Sequence, residues 1–253
     1  MIHPTAIIDS SAKIANNVHV GAYSIIGPDV EVDEGSWIGP HVVIQGPTRI
    51  GRDNKIYQFA SIGEVSQDKK YTGLKTYLEM GDRNVIREFC TFNRGTDEVR
   101  ITKIGHDNHF MAYVHIAHDC IVGNHTIFAN NASLAGHVTV EDHVVLSGFA
   151  GVFQFCRVGA YSFATANSVI IKDVPPFVKV SGYYAKPYGL NTIGLQRHGF
   201  ATDVMRQLRQ AYRIIYRSGL TIGKAIEELQ KIATPEVLRM MQFIESSNAG
   251  IVR

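Results

Sequence analysis

"IDSSAKIANNVHVGAYSIIGPDVEVDEGSWIGPHVVI", residues 8–44, puts an isoleucine or valine at every sixth position: Ile8, Ile14, Val20, Ile26, Val32, Ile38 and Ile44. The phase continues through Ile50, Ile56 and Ile62 and returns at Met80, Ile86 and Phe92. It runs again from Ile104 through Phe110, Ile116, Val122, Phe128, Leu134, Val140, Leu146, Val152, Val158 and Ala164 to Ile170. Small or slim residues stand two places before the aliphatics, as at Ala6, Ala12, Val18, Ser24 and Ser36, and glycine often follows them, as at Gly21, Gly27, Gly39, Gly51, Gly123 and Gly159. Six is neither a helical period nor a hairpin spacing. A short strand with an inward aliphatic, then a turn where glycine tolerates unusual backbone angles, accounts for it. Stacking that unit gives a parallel β-helix. A sandwich would show longer alternating strands and irregular turns. The period does not fix the hand, and the usual crossover rule favours a right-handed coil.

Two polar stretches break the phase, near 63–79 ("GEVSQDKKYTGLKTYLE") and 94–103 ("RGTDEVRITK"). They are expected to leave the coil as loops, where binding residues gather on a rigid scaffold. Pro175 and Pro176 end the ladder, since neither donates a backbone hydrogen bond. Beyond them Val204, Leu208, Ala211, Tyr212 and Ile215 form an apolar helix face closed by Gly219, and Thr234-Pro235 starts a further helix. The expected division is a β-helix over 1–190 and a C-terminal α-helical domain over 191–253.

Composition narrows the function classes. With 253 residues, 45% of them hydrophobic, the chain has material for a large packed core, and a net charge of +2 gives no reason to expect nucleic acid. Three cysteines without a CxxC pair argue for a reducing, cytoplasmic setting rather than a disulfide framework. The N-terminus lacks the basic-then-apolar pattern of a secretion signal, and no run is apolar for long enough to span a membrane.

Chemistry concentrates in Tyr113–Val138, which holds His115, His118, His125 and His137. With eighteen residues per coil, positions eighteen apart stack at strand spacing, about 4.8 Å. His118, Gly136 and Gln154 then share one column, and Asp119 and His137 the next. That gathers a base, a backbone amide and a carboxamide in one place. His125 reads as a corner residue bonded to its neighbouring coil. Zinc is the competing chemistry, because His115, His118 and His137 have the donor types of a catalytic site, and γ-class carbonic anhydrases build such a site on the same fold.

The segments "HPTAII" (3–8), "IGRDNKIYQFASIGEVSQDKKY" (50–71), "GDRNVIRE" (81–88), "HIAHDCIVGN" (115–124), "NNASLAGHV" (130–138), "QFC" (154–156), "DVPPFV" (173–178) and "GLNTIGLQRHGF" (189–200) carry more than the hexad. Over essentially its whole length the chain resembles the UDP-N-acetylglucosamine 3-O-acyltransferases that begin lipid A biosynthesis, members of the hexapeptide-repeat acyltransferases. The resemblance implies a left-handed parallel β-helix of hexapeptide repeats, against the crossover rule. It implies transfer of an (R)-3-hydroxyacyl chain from acyl carrier protein to the glucosamine 3-hydroxyl of UDP-N-acetylglucosamine in the cytoplasm, by a homotrimer with sites between subunits, without metal or cofactor. Some relatives use a 3-amino sugar.

Residue by residue, the resemblance makes His118 the general base, Asp119 its support and Gly136 the oxyanion donor. Gln67, Asp68 and Lys70 correspond to sugar-binding positions, His115, His137 and Gln154 to further substrate or acyl-chain contacts, and Asn191 and Arg197 to the uridine diphosphate site. Ala166 falls where the family limits chain length, and alanine in place of glycine there implies a somewhat shorter chain. Phe153, Ile193 and His198 depart from the family pattern and bear on substrate detail. No cysteine matches a nucleophile, so Cys120 reads as packing. Acyl carrier protein is acidic, and Arg206, Arg209, Arg213 and Arg217 recur at helical spacing as a basic stripe suited to it.

Overall fold

The computed structural model describes residues 1–253. Its short strands, most of two residues, assemble into three sheets of nine, eight and ten members. Successive neighbours within a sheet are parallel and eighteen residues apart, as in Ile7↔Ile25, Lys13↔Glu31 and His19↔Trp37. Each coil therefore contributes one strand to each face of a triangular prism, a left-handed parallel β-helix. The first face carries Ile7–Ile8 and His115–Ile116, the second Lys13–Ile14 and Ile121–Val122, the third His19–Val20 and Ile127–Phe128. The sixth-position residues fill the prism, and Phe92, Phe110 and Phe128 pack in sequence along its axis with ring centroids 4.9 and 5.0 Å apart.

The turn chemistry differs from the sequence expectation. Gly21, Gly27, Gly39, Gly51, Gly123 and Gly159 do not supply the left-handed angles. Those fall three residues after the aliphatic, on non-glycine residues such as Tyr23, Asp53, Asp119, His137 and Phe155, with φ between 55° and 64°. Each costs about 1–2 kcal/mol for an L-residue. Gly21 is needed for clearance instead: a Cβ there would lie 2.5 Å from the Pro40 backbone nitrogen on the next coil. Buried polar side chains meet the remaining corner groups. Asn54 Oδ1 accepts from the Asn84 amide, Asn84 Oδ1 from Asn108, and Asn108 Oδ1 from Thr126, at 2.8–3.0 Å.

Two excursions interrupt the coil. The offset grows from eighteen to thirty at Ser61↔Thr91 and to twenty-four at Thr91↔His115. Both surpluses are multiples of six, so the hexad phase resumes unchanged after each. Strands claim the ends of both polar stretches: Ser61–Glu64 and Tyr77–Met80 bound the first excursion, Thr91–Asn93 and Ile101–Ile104 the second. Outside the second face, Lys13, Glu31, Arg49, Glu79 and Lys103 stand opposite one another on consecutive strands, an alternating-charge column that favours this register.

A hairpin of Val178–Ser181 and Lys186–Leu190 ends the third sheet with its one antiparallel pair. Helices α1 (Thr192–Arg197), α2 (Thr202–Arg217), α3 (Ile222–Gln230) and α4 (Pro235–Glu245) follow. Helix α2 buries Met205, Leu208, Ala211, Tyr212 and Ile215, while Val204, expected on that face, is half-buried. Helix α3 carries Ile222, Ala225, Ile226 and Leu229 at helical spacing, and Thr221 marks its start by accepting from the Lys224 amide. Thr234 stands at the start of α4 as expected, but its hydroxyl is buried and unbonded rather than capping. The chain end returns to the coil, where the Asp173 amide donates to Gly250 and the Val252 amide to Asp173.

If clearance between coils is what these glycines provide, Gly21→Ala should lower the unfolding free energy by about 2 kcal/mol, within the overpacking range. Gly223→Ala, where a Cβ meets nothing within 4 Å, should stay within about 0.5 kcal/mol of the parent or exceed it. Denaturant melts of the two variants measure the contrast.

Candidate active site

Both excursions fold over the corner between the first and second faces. The Thr72 amide and hydroxyl, on the first, donate to Asp97 Oδ2 on the second at 3.0 and 2.7 Å. Within the first, Asp68 Oδ1 accepts from the Lys70 backbone amide at 2.9 Å, a local turn that holds the Asp68 side chain. Beneath them lies a cleft of about 300 Å³. Asp68, Lys70, Tyr71, Thr96, Asp97 and Glu98 form its outer wall, and His118, His137, Gln154 and Phe155 its floor on the coil.

The floor follows from the stacking. Asp119, His137 and Phe155 occupy the left-handed corner position on three successive coils. Asp119 is withdrawn from solvent, and its Oδ2 lies 2.9 Å from His118 Nδ1. A carboxylate accepts only, so Nδ1 carries the proton, and in the neutral ring Nε2 is the acceptor. Nε2 is 3.9 Å from Asp68 Oδ2 across the cleft. The imidazole lies against Gly136, where a Cβ would collide with its Cε1, so only glycine admits the ring. The Gly136 amide donates to no acceptor within the chain. His137 meets His118 edge to face at 5.1 Å and is stacked on Phe155 at 4.6 Å.

Comparison with known proteins bears on this geometry. Residues 173–252 match the family described as UDP-N-acetylglucosamine O-acyltransferase, domain 2, and residues 101–136 match the bacterial transferase hexapeptide of six repeats. Over its full length the chain is 52% identical to the acyl-[acyl-carrier-protein]–UDP-N-acetylglucosamine O-acyltransferase of Thiobacillus denitrificans and 51% identical to that of Herminiimonas arsenicoxydans, covering 99% of each. The chain belongs to the UDP-N-acetylglucosamine O-acyltransferase family. Solved members superpose closely: LpxA from Acinetobacter baumannii at 48% identity and a TM-score of 0.97, covering 100% of this chain and 99% of that one. The UDP-N-acetylglucosamine acyltransferase of Francisella novicida, at 38% identity, gives 0.98, covering 100% of this chain and 94% of that one.

Not every family position converges on the cleft. Gln67 is exposed beside it and forms no part of its wall. His115 points outward from the first face, its Nδ1 2.7 Å from Thr91 Oγ1; burial holds its pKa below the ordinary histidine value, and the charge of His118 acts in the same direction. Asn191 and Arg197 line a separate cavity of about 560 Å³ on the third face, with Phe163, Lys179 and Tyr188. There Asn191 also caps α1, accepting from the Gly194 amide at 3.2 Å and donating to the Tyr161 carbonyl at 2.9 Å. Ile193 stands exposed at the rim, and His198 packs edge-on against His143 at 4.8 Å. Ala166 is exposed at the corner between the third and first faces, and Phe153 is exposed beside Gln154.

Sequence reasoning passed over Tyr71, Thr96, Asp97, Glu98 and Phe155. The column arithmetic that placed His137 puts Phe155 eighteen residues on and was sufficient to find it. The three-histidine zinc set is not assembled, because His115 turns to Thr91. His118, Asp119 and His137 do place ligand atoms within 4.8 Å of one another. The Asp119 carboxylate among them, however, already accepts from the Thr96 amide, the Thr96 hydroxyl and His118.

Cys120, adjacent to the pair, is buried with its thiol donating to the Ala135 carbonyl at 3.1 Å. Burial pushes Cys90 and Cys120 up to about 12 and Cys156 up to about 11. The folded protein at pH 8 should therefore take up no iodoacetamide label, and the unfolded protein three. Fast single labelling of Cys120 in the folded state would reinstate it as a nucleophile, and intact-mass spectrometry decides.

Proposed function

We propose that the chain transfers an (R)-3-hydroxyacyl group from acyl carrier protein to the glucosamine 3-hydroxyl of UDP-N-acetylglucosamine, the first step of lipid A biosynthesis. The carrying observation is the His118–Asp119 pair, bonded at 2.9 Å and set on the floor of a cleft beside an unbonded Gly136 amide. A sugar hydroxyl is a poor nucleophile and needs a base that works near neutrality, which histidine provides. His118 Nε2 takes the hydroxyl proton as the oxygen attacks the thioester carbonyl. Asp119 holds the opposite nitrogen and stabilises the imidazolium. The Gly136 amide donates to the oxyanion. Collapse expels the carrier thiol, which recovers the proton from His118, so no acyl-enzyme, metal or cofactor enters.

In this reading Asp68 and Lys70, with Gln67 beside them, hold the sugar. His137 and Gln154 flank the reacting carbonyl, and His115 borders the acyl path. Asn191 and Arg197 receive the uridine diphosphate, where the guanidinium suits phosphate. Those two lie on another face from His118, which supports a homotrimer in which one chain's cleft meets the next chain's third-face cavity. Ala166, likewise remote from the cleft within one chain, limits the acyl group across the same boundary. The family name supports acyl carrier protein as donor, and no helix is long and apolar enough to cross a membrane. A cytoplasmic setting agrees with three free buried cysteines.

Incubation with UDP-N-acetylglucosamine and a series of (R)-3-hydroxyacyl carrier proteins, read by mass spectrometry, tests the reaction. Acylated sugar nucleotide should form and fall by at least about 100-fold in His118→Ala. Product only with the 3-amino sugar would change the acceptor, and none with either would overturn the proposal.

Arg206, Arg209, Arg213 and Arg217 are exposed along α2 and pair with no carboxylate. Reversing all four charges should raise the KM for acyl carrier protein by more than about tenfold while the melting temperature holds. An unchanged KM would remove the stripe from the docking surface.

A further inference from the structure

A carboxylate as deeply buried as Asp119 carries a desolvation cost that donors around it must offset. Three do so: His118 Nδ1 at 2.9 Å from Oδ2, the Thr96 amide at 2.9 Å from Oδ1, and the Thr96 hydroxyl at 2.5 Å from Oδ2. His137 Nε2, 3.6 Å away, is beyond hydrogen-bond range. One residue of the second excursion thus supplies two of the three. Thr96 is 7% exposed, and its carbonyl accepts from the Arg100 amide at 2.8 Å, which closes the excursion around it. The preceding Gly95 has no room for a side chain, since a Cβ would lie 2.7 Å from Asp119 Oδ1. The following Asp97 holds Thr72 on the first excursion. The backbone here is pressed against the carboxylate and tied to the wall that carries Asp68 and Lys70.

We propose that Thr96 is the positioning residue of the catalytic pair: its hydroxyl shares one Asp119 oxygen with His118 and so fixes both the angle of the imidazole and its strength as a base. The inference rests on the reading of His118 as general base. Two donors on Oδ2 divide its charge between them. With the hydroxyl present, Oδ2 is a weaker partner for the imidazolium. Without it, Oδ2 turns its whole charge to His118 and favours the protonated ring. The base then becomes available only at higher pH. The carboxylate, held by one Thr96 contact in place of two, also loses its fixed plane, and with it goes the alignment of Nε2 on the sugar hydroxyl.

Thr96→Val keeps the shape and the backbone amide and removes the hydroxyl, whereas Thr96→Ser keeps the hydroxyl. The expected result for Val is a kcat loss on the order of 10- to 100-fold, with the KM for UDP-N-acetylglucosamine within about threefold. The acid limb of its kcat/KM profile should move to higher pH, and Ser should restore both kcat and the limb. NMR titration of the His118 ring in histidine-labelled protein should move the same way. Wild-type kcat and an unmoved limb in Val would overturn the proposal, as would equal impairment in Ser and Val with an unmoved titration. If Val does not fold, Thr96→Ala against Ser carries the same comparison. Should the parent protein transfer no acyl group, the functional reading fails, and the NMR titration alone decides Thr96.

Discussion

Every coil is held to the next by backbone hydrogen bonds, as from the Ile7 amide to the Ser24 carbonyl and from Asp9 to Ile26 at 2.9 Å. Eighteen residues must therefore make one closed triangular turn, and that closure governs the rest. It demands a tight corner three times per coil, which the chain meets with left-handed residues that are mostly not glycine. The strain is tolerated because each corner is locked by ladders above and below, and because interior aliphatics and phenylalanines bury apolar surface at every rung. Closure also restricts insertions. The twelve and six extra residues of the two excursions leave the inward phase intact.

Stacking is also what turns sequence distance into proximity. Residues 118–119, 136–137 and 154–155 occupy the same corner on three rungs, so the proposed base, its carboxylate, an unbonded amide and an aromatic wall converge without any loop having to find them. A rigid floor of this kind preorganises electrostatics but cannot by itself desolvate them. The excursions do that. They cover the corner and bring Thr96 onto Asp119, giving the carboxylate two donors in a place where an unpaired charge would be prohibitively costly. The coil thus sets the positions of the reacting groups, and the excursions set their environment.

That division explains what was legible beforehand. The hexad exposed the prism, and arithmetic at eighteen exposed the His118–Gly136–Gln154 column, because both are properties of a strict repeat. The hand of the coil was invisible to the repeat and misjudged by the crossover rule, which describes strand–helix–strand units rather than corners two residues wide. The glycines were found but misexplained, since sequence shows where side chains are absent and not whether angle or clearance requires it. Thr96, Asp97 and Glu98 were missed for a different reason. They lie where the period is broken, and only the folded excursion brings them to the cleft. Helix α3 was legible and passed over: Ile222, Ala225, Ile226 and Leu229 fall at helical spacing behind its capping threonine.

The azimuths of the proposed site also constrain the assembly. The cleft occupies the corner between the first and second faces, the Asn191–Arg197 cavity the third face, and Ala166 the corner between the third and first. One small sugar nucleotide with its acyl chain does not reach around a packed prism to touch all three. In the proposed reading these different patches meet across a boundary between chains. In the proposed homotrimer a closed ring joins corner to face at every boundary and repeats the whole site once per chain. In that proposed ring the three-sided cross-section of each prism turns outward faces toward both neighbours.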